Sequence, residues 1–185
     1  MILNSKNNNF VPNFPKNFFY EKIKERYVPI VNRLPLPYDS LTDYLNASIQ
    51  QFTFPGVTTE TVSQTLNDEF VEWKDGFRFG KVLDKSFTVT FKNYEGYINY
   101  WMMFDQYEEF LSKYQKDKFL PNISIRLLDH HGFELLSIEY HQILMTGISD
   151  LELNFTSNTA EFESFTCDFK YNYYEIKRRT DKRNI

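Results

Sequence analysis

At 185 residues and 42 % apolar, the chain has the length of one domain with a full core, and its single cysteine excludes an internal disulfide framework. The formal net charge is −4, spread unevenly: residues 1–26 carry +3, residues 177–185 carry +4, and the body between them carries −11. An acidic body argues against a nucleic-acid-binding face there, and no run is long and apolar enough to span a bilayer.

Met1, Ile2 and Leu3 run straight into an Asn-rich stretch, so no apolar signal-peptide core is visible and a reducing cytoplasm is expected. Residues 1–26, with Pro12 and Pro15, read as an extended arm. A first strand is expected over 26–34, with Pro29 marking an edge or a break. Ser40 and Asp43 then form a capping box for a short helix over about 40–50, whose face is Leu41, Tyr44, Leu45, Ser48 and Ile49. Strand signals return at 51–54, stop at Pro55-Gly56 and resume over 57–65.

That last stretch is rich in β-branched residues yet polar on both faces. Core burial gives such a strand almost nothing, so pairing within a larger sheet must hold it. Residues 66–75 read as a charged loop presenting Phe70, Val71 and Trp73 beside Asp68, Glu69, Glu72 and Asp75, the pattern of a contact site; folding back on the same domain is the alternative. Strands are expected at 76–82 and at 86–92, where Phe87, Val89 and Phe91 alternate with Ser86, Thr88, Thr90 and Lys92.

Asn93 is placed to cap the main amphipathic helix, about 94–114. Its stripe reads Tyr94, Tyr97, Ile98, Trp101, Phe104, Tyr107, Phe110 and Leu111, with Glu95, Asp105, Glu108 and Glu109 off it. A lone helix of this kind in a β chain covers one sheet. After Pro121, strands are expected at 123–127, 133–144 and 148–155, with a turn at Asp129-His130-His131-Gly132. The terminal strand alternates Phe165, Cys167, Phe169, Tyr171 and Tyr173 with Ser164, Thr166, Asp168, Lys170 and Asn172, so Cys167 reads as a small buried apolar residue. The fold class is mainly β, a sandwich or barrel subunit: an arm at 1–26, one domain over 27–176 and a basic tail at 177–185.

No phosphate-binding glycine loop, dinucleotide fingerprint, zinc-protease helix or nucleophile elbow occurs. Asp129, His130, His131 and His141 do not converge on sequence grounds, because adjacent histidines on a turn point apart; no metal, catalytic or cofactor site is expected. The aromatic share of 18 % fits either rings buried between subunits or a genome biased toward Phe, Tyr, Asn, Lys and Ile codons.

Three pieces in order carry a family resemblance: Phe54-Pro55-Gly56-Val57 entering a polar strand, residues 86–91 leading to an acidic aromatic helix, and a paired β section closed by residues 162–171. Over about 50–175 the chain resembles the tail tube proteins of contractile-tailed (T4-like) bacteriophages. The resemblance implies hexameric rings stacked into a tube whose lumen conducts DNA, with sheath, baseplate and tail terminator proteins as partners. It implies a location in the virion tail after assembly in the host cytoplasm, no membrane and no cofactor. It makes Phe70, Val71, Glu72, Trp73 and Lys74 the contact to the next ring. Thr59, Glu60, Thr61, Ser63, Gln64, Asp150 and Glu152 become lumen-facing candidates, and Glu95, Asp105, Glu108 and Glu109 sheath-facing ones. A baseplate tube initiator of the same fold, with extra segments like 1–49, is the alternative within the family; a ligand-binding β-barrel module is the alternative outside it.

Overall fold

The computed structural model describes residues 10–34, 38–54, 61–66, 69–74, 85–112, 119–129, 131–151 and 164–178. In chain order its elements are β1 (Phe10–Asn13), α1 (Glu21–Val31), α2 (Leu41–Ser48), β2 (Ile49–Thr53), β3 (Thr61–Leu66), β4 (Glu69–Lys74), β5 (Ser86–Lys92), α3 (Ile98–Ser112), β6 (Ile123–Leu128), β7 (Glu134–His141), β8 (Leu144–Ile148), β9 (Ser164–Lys170) and β10 (Tyr173–Arg178). The chain is mainly β: two four-stranded antiparallel sheets, ordered β1-β6-β7-β10 and β2-β5-β9-β8, and a separate ribbon of β3 and β4.

Strict alternation builds the sandwich. Phe87, Val89 and Phe91 on β5 and Phe165, Cys167 and Phe169 on β9 are buried, and the register sets Phe87 against Phe169 and Val89 against Cys167. Rings from the two sheets meet between them. Phe87 lies 4.8 Å from Tyr140, 4.9 Å from Phe52 and 5.1 Å from Phe169, centroid to centroid. Offset and edge contacts of this kind add to plain area burial. Aromatic side chains thus make up much of the layer between the two sheets.

The terminal strand departs from the sequence pattern at Asn172. Tyr171 is buried as expected, but Tyr173 is 48 % exposed, because the chain leaves one sheet at Lys170 and enters the other at Tyr173. The strand expected over 133–144 breaks in the same way. It ends at His141, and Gln142, with φ of +55°, turns the chain into β8 of the opposite sheet. The two corners are tied together: the Asn172 side chain donates to the Gln142 amide oxygen at 2.8 Å, and the Asn172 amide to the His141 carbonyl at 3.2 Å. Strands expected at 76–82 and beyond Leu151 lie outside the described residues.

The N-terminal expectations need the largest correction. Residues 10–26 do not form a free arm: β1 pairs with β6, and Phe14, Phe18, Phe19 and Ile23 are buried. The strand expected over 26–34 is instead the end of helix α1, whose buried residues Ile23, Tyr27 and Val31 recur every four positions. Pro29 sits on the exposed side of the last turns, and Glu25, the residue four positions back whose carbonyl its missing amide would have met, is exposed as well. Two carboxamides bind this N-terminal strap. Asn46 accepts from the Phe14 amide at 3.0 Å, while buried Gln106 accepts from the Tyr20 amide at 3.1 Å and donates to the Phe18 carbonyl at 2.9 Å.

Helix α2 forms as the capping box requires: the Ser40 hydroxyl accepts from the Asp43 amide at 3.2 Å and donates to its carboxylate at 2.7 Å. Helix α3 begins later than expected. A 3₁₀ turn over Glu95–Tyr97 precedes it, with Gly96 at φ +68°. Asn99, not Asn93, secures the start, accepting from the Tyr94 amide at 3.3 Å and donating to the Lys92 carbonyl at 2.6 Å.

Candidate assembly surfaces

Residues 69–74 are not a loop. They form β4, paired antiparallel with β3 in a register that sets Val62 opposite Trp73 and Thr65 opposite Phe70. All five residues expected to reach the next ring, Phe70, Val71, Glu72, Trp73 and Lys74, therefore lie on one strand. Charge hides this strand in the sequence: Glu69, Glu72 and Lys74 interrupt Phe70, Val71 and Trp73, and pairing with a β-branched partner strand stabilises it. The ribbon pairs with neither four-stranded sheet among the described residues, and Ser63, Gln64 and Thr65 on β3 are exposed.

The lumen candidates divide. Thr61, Ser63 and Gln64 lie on β3, Asp150 is exposed just past β8, and Thr59, Glu60 and Glu152 lie outside the described residues. β3 belongs to the separate ribbon, and Asp150 follows the last strand of a four-stranded sheet. The structure does assemble another polar surface. The outward faces of β2, β5 and β9 carry Gln51 and Thr53, Ser86, Thr88, Thr90 and Lys92, and Ser164, Thr166, Asp168 and Lys170, with Thr90 opposite Thr166 and Thr88 opposite Asp168. The Thr88 hydroxyl donates to the Asp168 carboxylate at 2.6 Å, and Thr146 on β8 donates to the Asp168 carbonyl at 3.1 Å. Alternation in the sequence already marked each strand's wet face; only the register shows that they join.

Helix α3 is rotated relative to the expected stripe. Its buried residues are Asn99, Tyr100, Met102, Met103, Gln106 and Phe110, whereas Trp101, Phe104 and Leu111 are exposed at 46, 40 and 54 %. The exposed rings touch each other, Trp101 to Phe104 at 5.9 Å, edge to face. Of the sheath-facing candidates, Asp105 accepts from Arg26 and from the Tyr27 hydroxyl at 2.7 Å, and Glu109 pairs with Lys22 at 2.9 Å. Both carboxylates hold α1 onto α3, Glu108 is exposed, and Glu95 opens the 3₁₀ turn. The Asp129 turn forms as expected: its carboxylate accepts from the His131 and Phe133 amides at 2.9 and 2.8 Å, and Gly132 takes φ +84°. His131 precedes β7 and His141 ends it, so these two histidines do not converge.

No family model matches the chain, and no curated protein matches it in sequence. Among solved structures it is similar to a chain of the anti-feeding prophage baseplate, six-fold symmetrised, at 12 % identity and a TM-score of 0.49, covering 96 % of this chain and 98 % of that one. It is also similar to the cap terminating the anti-feeding prophage tube (12 % identity, 70 % and 80 % covered, TM-score 0.46). A third likeness is to the sheath–tube complex of the PVC extracellular contractile injection system (10 % identity, 82 % and 97 % covered, TM-score 0.44). Each score is below 0.5, and the functional reading rests on the chain's own residues.

Proposed function

We propose that this chain is a structural subunit of the tail tube of a contractile-tailed bacteriophage, forming six-membered rings that stack into a DNA-conducting tube. One observation carries the reading: the β3–β4 ribbon, which pairs with no other strand among the described residues and exposes Ser63, Gln64 and Thr65. An isolated two-stranded hairpin is marginal in water, and its edges offer unpaired N–H and C=O groups. A neighbouring copy that pairs with it supplies what its own sheets do not. Phe70, Val71, Glu72, Trp73 and Lys74 then make the contact to the next ring. The residue-level resemblance to tail tube proteins supports the same arrangement.

In this reading the lumen is lined by Thr59, Glu60, Thr61, Ser63, Gln64, Asp150 and Glu152 contributed by successive copies. A wall short of Lys and Arg offers DNA phosphates no contacts and no counterion release, so the duplex passes without sticking. Glu95 and Glu108 face the sheath, with Asp105 and Glu109 beside them; baseplate and tail terminator proteins close the two ends, and the assembled protein resides in the virion tail. Negative-stain electron microscopy of the purified protein tests this: stacked six-fold rings support it, and a monodisperse monomer at all concentrations overturns it. A tube initiator at the baseplate is the second reading, favoured by the N-terminal strand and helix built onto the core. Single rings that never stack would select it.

A further inference from the structure

Outside the assembly surfaces, one group of side chains on the β7–β10 pair has the chemistry of a binding site. Glu139 and His141 lie two residues apart on β7 and so share a face, and the register sets Glu175 on β10 directly opposite Glu139 and Tyr173 opposite His141. One donor atom from each of Glu139, His141 and Glu175 lies within 4.8 Å of the other two, a combination found at this one place among the described residues. The His141 Nε2 atom is buried and has no hydrogen-bond partner, and it faces the Glu175 carboxylate at 3.9 Å. The imidazole plane is set by stacking on Tyr173, at 4.7 Å and 6° between rings. Two carboxylates directly opposite one another repel across a strand pair. A buried imidazole nitrogen without a partner adds a desolvation cost of its own. A single cation would relieve both.

We propose that Glu139, His141 and Glu175 form a binding site for one divalent transition-metal ion of the zinc class, pinning the edge strand β10 to β7. One imidazole and two carboxylates suit Zn²⁺, Co²⁺ or Mn²⁺, and the nitrogen donor favours these over Mg²⁺ and Ca²⁺. Donor atoms bound at about 2.0–2.2 Å lie roughly 3–3.5 Å apart, so the glutamate side chains must close by about 1–2 Å. Glu175 is free to do so, with 55 % of its side chain exposed. Glu139 has a competitor: its oxygens accept from Lys177 at 2.7 Å and from Asn122 at 3.2 Å. Lys177 is itself exposed, so its ammonium leaves for solvent as the metal enters, and removing it should tighten binding. The site lies within one copy and does not depend on assembly.

The test uses the full-length protein stripped with chelator, titrated with Zn²⁺ against a chromogenic indicator, with Co²⁺ absorption and thermal melting as independent readouts. The expected result is one equivalent of Zn²⁺ bound and a raised melting temperature, with Mg²⁺ at the same concentration without effect. His141→Gln and Glu175→Gln should each weaken Zn²⁺ at least about tenfold, Lys177→Gln should bind at least as tightly as the parent, and His131→Asn should bind unchanged. The exposed Glu175 carboxylate keeps the test valid if His141→Gln folds poorly. Absence of saturable binding, equal binding by Glu175→Gln, equal response to Mg²⁺, or loss only in His131→Asn each overturns the site.

Discussion

Cys167 sits mid-strand with no exposed surface, and burial pushes its thiol well above the ordinary range. The thiolate is the reactive form, so native protein at pH 8 should be inert to an aromatic disulfide reagent and react with one equivalent in denaturant; fast native labelling would place the cysteine at the surface. Tyr27 and Tyr94 are both raised to about 12, chiefly by burial, with Asp105 adding for Tyr27 and Tyr38 for Tyr94. A raised phenol favours the folded state while neutral: its contribution is full below the unfolded value of about 10 and is lost as pH climbs toward 12. Urea midpoints should therefore fall between pH 10 and 12, with Tyr27 and Tyr94 titrating late by ultraviolet absorbance, together with Tyr100 and Tyr140, whose phenols burial also raises. Gln106→Met tests the strap clasp. It keeps the volume but removes both carboxamide bonds, including the buried one to the Phe18 carbonyl, at about 1–3 kcal/mol, measurable by chemical denaturation. Residues such as Phe165, Cys167 and Phe169 were legible because a period of two needs only the local chain. Gln106 and His141 were not, because their partners arrive from 88 and 34 residues away through packing and register.

Helix α2 was legible to within two residues at each end, since a capping box and a four-residue face are local signals. Helix α1 was not, because Pro29 read as a breaker although its side of the helix faces water. In α3 the helix was legible but its phase was not. The run from Ile98 to Leu111 is apolar on more than one face, so periodicity leaves its rotation open, and the covering strap and β8 decide it. The phase makes a sharp contrast testable on one element. Met103→Ala, at a site with no exposure, should cost about 2–5 kcal/mol by cavity formation. Trp101→Ala should cost under about 1 kcal/mol in the isolated subunit, because the residue is already 46 % exposed. Equal losses would mean that the rotation is wrong. At the β7–β8 corner, Gln142 holds a left-handed backbone that favours glycine, but its side chain accepts from Asn172; Gln142→Gly exchanges that bond for relief of strain and should stay within about 1 kcal/mol of the parent, whereas Gln142→Val loses the bond, keeps the strain and should destabilise more.

At the scale of the whole molecule, the question is what completes a chain that, among the described residues, has an edge strand at each side of both sheets, a ribbon paired with neither, and exposed Trp101, Phe104 and Leu111. These surfaces are unlike one another, so a contact joining two of them is heterologous: it closes into a ring if its rotation divides the circle, and leaves two different faces for stacking. The acidic body and basic ends fit such head-to-tail contact, since one copy's +4 tail can meet its neighbour's acidic surface. The ribbon gives the decisive variant. Phe70→Ala with Trp73→Ala removes two aromatics from β4 and changes no residue of either four-stranded sheet, so the subunit should keep its circular dichroism and melting temperature. Truncating interface aromatics often costs about 2 kcal/mol or more per residue, so stacking should fail while rings persist. Electron microscopy would then show single rings where the parent forms tubes. Tubes of ordinary length from the double variant would mean that the ribbon does not carry the contact between rings, and loss of the rings themselves would move it to the contact within one.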